Sequence, residues 1–163
     1  MSPLSSQEKL SWYDVSQEVK NLLILASENW ENTVLSEQYV TQALALADNN
    51  LDVLIGAYRF FFYKGKSLIA LEVADQVLGI IQTRKNLPPN WEDLQLILSQ
   101  EKDDPLLRLY LNAYAAKGFL LAKLGRLDEA KLITERVKKL DEHREFCATT
   151  VFDVLTRLPQ EEE

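Results

Sequence analysis

The chain has one histidine and one cysteine, His143 and Cys147, four residues apart, with Asp141 and Glu142 just before the histidine. On a helix that spacing puts the imidazole and the thiol on one face, and both are zinc donors. A zinc site needs three or four strong protein ligands, and no second His or Cys exists to complete one. A surface histidine and a small buried thiol is the simpler reading, so no metal and no cofactor are expected. Cys–His nucleophilic catalysis also fails, because no third group orients the base. Gly65-Lys66-Ser67 has the tail of a phosphate loop but lacks the earlier glycine and the preceding strand, and it reads as a turn. No site calls for an enzyme.

The chemistry that remains is recognition. Tyr58-Arg59-Phe60-Phe61-Phe62-Tyr63 holds five aromatics in six residues, more than one buried stripe uses. On a helix Tyr58, Phe61 and Phe62 face the core, and Phe60 and Tyr63 point partly elsewhere. Either the segment around Trp91 and Leu98 covers these rings, or some of them line a groove.

The elements that must carry these residues are helices. Tyr110, Tyr114, Leu121 and Leu124 recur at helical spacing before Gly125, as do Leu127, Ala130, Ile133, Val137 and Leu140 after it. Gly125 suits the left-handed residue that ends a helix. Asp128 and Glu129 then open the next helix, and Lys138 and Lys139 close it, each where the helix dipole favours that charge. Gly118 and Ala130 are small where the two helices must approach. Upstream, Leu54, Ala57, Tyr58 and Phe61 precede Gly65, with Ala70, Ala74 and Val77 beyond it. Further back, Leu23, Ile24, Val40, Ala43 and Leu46 keep the period without a glycine at the turn.

Ser5 with Glu8 makes a capping box for a helix near Gln7, which either runs on to Trp30 or breaks near Asp14. Asp48-Asn49-Asn50 is a turn, and Leu87-Pro88-Pro89 stops a helix. Asn90 caps a short helix, and Asp104-Pro105 starts another. Phe146, Val151, Val154, Leu155 and Leu158 give a final amphipathic helix ended by Pro159, with an acidic tail behind it.

The order Gly118, Gly125, Ala130, with Tyr114 four residues before the first glycine, resembles a tetratricopeptide repeat, a helix pair of about 34 residues. The usual proline after Asp141 is replaced by Glu142 and His143. The resemblance implies an all-α fold in a single domain over residues 1–163: a right-handed α-α superhelix of about three helix pairs. The pairs fall at 17–50, 51–84 and 111–144, with an inserted short helix in 85–110, a capping helix at 145–158 and a tail at 159–163. In that family the first helices of successive repeats line a concave face. The matching positions here are Asn21 and Leu25; Asp52, Ile55, Arg59, Phe62 and Tyr63; and Asn112, Ala115, Phe119, Ala122 and Lys123. Arg59 and Lys123 would pair with carboxylates, and Phe62, Tyr63 and Phe119 would receive apolar side chains. Leu25, Gly56 and Ala116 stand where the heat-shock-binding branch has polar or basic groups, which argues against that branch.

Five Gly, five Pro and a net charge of −7 suit a helical protein that repels phosphate backbones, so nucleic acid is not an expected partner. A single cysteine suits a reducing compartment. The N-terminal sequence lacks the features of a signal peptide, and no apolar run is long enough to span a membrane. The expectation is a cytoplasmic adaptor or assembly chaperone that binds a protein or peptide partner. The alternatives are a self-associating subunit, homodimeric through the aromatic surface, and a chaperone similar in size and plan to those of bacterial secretion systems.

Overall fold

Side-chain caps divide the chain into its elements. The computed structural model describes residues 15–140. Among them are seven α-helices and no strand: α1 Gln17–Glu28, α2 Thr33–Leu46, α3 Leu51–Tyr63, α4 Ser67–Arg84, α5 Trp91–Gln100, α6 Pro105–Lys123 and α7 Leu127–Leu140. The expected all-α class therefore holds. The capping box at Ser5, the His143–Cys147 pair, the final amphipathic helix and the acidic tail lie outside the described residues.

Ser16, Asn32, Asn50, Asn90 and Asp104 each accept a hydrogen bond from a backbone N–H in the first turn of the helix that follows. Each such bond satisfies a donor that has no partner within the helix. Ser16 is extended, with φ −60° and ψ 154°, so α1 begins there and is not continuous with any helix before it.

The helix ends are just as local. At Gly125 (φ 83°) the Gly125 N–H donates to Ala122 O and the Arg126 N–H to Leu121 O, the paired bonds of a Schellman motif. The same pair closes α4, with Asn86 (φ 51°) as the left-handed residue and Leu87 buried behind it. The stop thus comes one residue before Leu87, and Pro88 and Pro89 only prevent resumption. Asp48 and Asn49 carry positive φ in the turn between α2 and α3, a conformation these two residue types tolerate.

The described residues form two compact units, one through Gly65 and one from Lys66. In the first, α1 and α2 form an antiparallel hairpin and α3 packs on α2. Val15, Val19, Ala43 and Val53 make its core, with Leu22, Leu23 and Leu44 against them. In the second, α6 packs against both α4 and α7. Two ion pairs set the antiparallel register of α4 and α6, Asp75–Lys117 at 2.9 Å and Lys85–Asp104 at 2.6 Å. On the other side of α6, Gly118 faces Ile133 and Thr134 of α7 too closely to admit a Cβ, and Ala130 is fully buried. Small residues at the close approach were legible from spacing alone.

Candidate functional site

The aromatic run sorts itself within α3. Tyr58 and Phe61 are buried as expected. Phe60 is buried too, contrary to the expectation that it points away. Trp30, from the turn after α1, meets its ring edge-on at 5.4 Å. Lys64 holds Trp30 in place, its ammonium donating to the Trp30 carbonyl and sitting 4.0 Å from the ring centroid. Sequence periodicity within α3 gave no sign of a ring arriving from residue 30. Phe62 is half-buried, 5.6 Å from Tyr63 in a T-shaped pair, and Tyr63 is 73% exposed.

What α3 leaves in solvent is a single stripe. Asp52, Gly56, Arg59 and Tyr63 are all exposed, and their spacing of four, three and four residues aligns them along one helix face. Of the positions named from the repeat resemblance, Arg59 and Tyr63 are exposed, whereas Ile55 is buried and offers nothing to a ligand. On α1 the exposed face carries Asn21, Leu25 and Glu28, and the Gln17 side-chain amide donates to Asn21 Oδ1 at 2.9 Å.

The second unit has its own stripe on α6. Arg108 and Lys123 are exposed, Asn112, Phe119 and Ala122 are half-buried, and Ala115 between them is buried. The Lys123 ammonium lies 5.5 Å from the Phe119 ring, so cation and ring present one combined surface. Arg108 belongs to the stripe by its spacing, four residues before Asn112, although no repeat position singles it out.

The inserted helix α5 lies on its own unit. Trp91 stacks on Tyr114 with centroids 5.8 Å apart, and the Arg136 guanidinium covers the indole at 5.0 Å while donating to the Tyr114 hydroxyl at 3.1 Å. Tyr110 continues the stack at 6.0 Å, and its phenol is pushed up to about 12 by burial, then by Tyr114 beside it. The hydrogen bond from Lys85 lowers the carboxyl of Asp104 from its usual range, and Asp104 raises Lys85 in return. These perturbed groups belong to packing and to a helix cap. Among the described residues, no group of three or more His, Cys, Asp or Glu is arranged to hold a metal. No described helix is long and apolar enough to cross a membrane.

No family model matches the chain, and no solved structure matches it. A relative does: over 123 residues, 74% of this chain and 69% of the relative, it is 34% identical to the uncharacterized 19.8 kDa protein in the nifW 5′ region of Azotobacter chroococcum mcd 1. The chain belongs to the family of that protein.

Proposed function

We propose that the chain is a non-enzymatic protein-binding module, a TPR-like superhelix of about three helix pairs. It acts as an adaptor or assembly chaperone that takes a protein or peptide segment on its first-helix faces. The candidate positions are Asn21, Arg59, Phe62 and Tyr63 in one unit, and Asn112, Phe119 and Lys123 in the other. The observation that carries this reading is Tyr63. Its helix buries eight other residues, yet leaves this ring 73% exposed, with exposed Arg59 four residues before it on the same helix face. Exposed aromatics with an arginine nearby are the usual anchors of protein interfaces.

The test is affinity purification from the native cell with the full chain as bait, comparing wild type with Arg59→Glu/Tyr63→Ser. Both positions are exposed, so the fold tolerates the change. Loss of the specifically captured protein in the variant supports the module, and unchanged capture rules out this face. Because the relative lies in the nifW 5′ region, the nifW product of the same cell is one defined protein to look for among those captured.

A further inference from the structure

We propose that the exposed stripe of α3 is a self-complementary seam, on which a second copy of this chain docks with its own α3 antiparallel, the two helices crossing at Gly56. The proposal rests on the reading of this stripe as a docking face and names its occupant.

The first observation is Gly56 itself. It lies inside α3, where glycine costs about 1 kcal/mol of helix stability relative to alanine. It has no positive φ, and among the described residues a Cβ built on it would meet nothing within 4 Å. Nothing among the described residues therefore requires a glycine here. A bare backbone on an exposed helix face lets a second backbone come close.

The second observation is the charge on either side. Asp52 lies four residues before Gly56 and Arg59 three residues after it, on the same exposed line. Neither has an ion pair assigned among the described residues. A two-fold axis passing between residues 55 and 56 brings Asp52 of one copy opposite Arg59 of the other, and makes the same pair again in reverse. An isologous interface needs this: one patch that complements itself under rotation. A parallel arrangement in register, or an antiparallel slip of two turns, sets like charges together. The two pairs lie about 10 Å apart along the helix, one on each side of the crossing. Tyr63 then extends past the start of the partner helix and supplies the apolar anchor that two ion pairs alone would lack.

The experiment is sedimentation velocity of the full chain over a concentration series at low salt. Wild type should show reversible monomer–dimer exchange. Asp52→Arg and Arg59→Asp, each alone, set like charges opposite one another in the homodimer and should each weaken it at least about tenfold. The double variant Asp52→Arg/Arg59→Asp recovers both pairs and should return to within about threefold of wild type. The two single variants, mixed, should associate with each other. That mixing is its own folding control, because the same two chains are weak alone and pair together; a melting curve for each variant checks the fold separately.

A wild-type chain that stays monomeric overturns the proposal. So does a dimer indifferent to either single reversal, or one that the double reversal does not recover. If the chain is monomeric but Arg59→Asp loses a captured protein from the native cell, this inference fails while the binding-module reading stands.

Discussion

A Cβ built on Gly118 would lie 2.7 Å from Thr134 Cγ2, inside any real van der Waals contact. Thr134 cannot easily move away, because it is fully buried and its hydroxyl donates to Ala130 O at 2.8 Å. Overpacking of this kind costs about 1–3 kcal/mol, and the helical gain of alanine over glycine offsets up to about 1. Gly118→Ala should therefore lower stability by roughly 1–2 kcal/mol in urea unfolding. Thr134→Ser removes the offending methyl and keeps the hydroxyl. In the double variant most of the loss should return, and a loss that persists would place the strain elsewhere.

The Trp91–Arg136 stack makes a second prediction. It ties the start of α5 to α7, and Arg136 also reaches Tyr114. Trp91→Ala should cost about 1–2 kcal/mol, with a coupling of roughly 0.5–1 kcal/mol to Arg136→Ala in a double-mutant cycle. Amide exchange in α5 should rise well before exchange in α6. If α5 stayed as protected as before, the indole would not be its anchor.

Acid should reveal the Lys85–Asp104 pair. The folded carboxyl of Asp104 titrates below its unfolded range, so its contribution is present above that range and is lost as pH falls through the folded value. For Lys85, raised in the folded state, the contribution is present below the unfolded lysine range and lost as pH rises through the folded value. Asp104→Asn keeps a capping side chain and removes the charge. Wild type should be the more stable at pH 7, with the difference shrinking once the pH drops well below about 4. Urea midpoints at the two ends of that range decide it, and a gap that stays constant would mean that only the cap matters.

At the alkaline end the relevant group is Tyr110. Its phenol is held up to about 12, against about 10 when unfolded. Its contribution is whole below about 10 and is lost as pH climbs towards 12. Absorbance of phenolate should show a late-titrating component that Tyr110→Phe diminishes, and the variant's stability should fall less steeply over the same range. A variant whose alkaline titration matches wild type would put the late phenol at another position.

Much of this was legible in the chain alone wherever the cause lies within a few residues. Caps at Asn90 and Asp104, the reversal at Gly125 and the small residues at Gly118 and Ala130 follow from backbone geometry and apolar period. The α4 stop is a near case. The prolines were visible, but Asn86 in the left-handed region does the work, a conformation that residue type permits without demanding. The break before α1 depends on Ser16 adopting extended backbone, which periodicity across residues 15–30 does not record.

Contacts between residues distant in sequence were decided only by tertiary structure. Trp30 covering Phe60, and Trp91 settling between Tyr114 and Arg136, join residues 30, 23 and 45 positions apart, and no local pattern encodes such partners. For the same reason Tyr63 and Arg59 were nameable as surface candidates, whereas Phe60 and Ile55 had to be found buried. Composition and spacing determine that helices form and which face each must hide; which ring fills which gap depends on the three-dimensional packing that hiding those faces brings about.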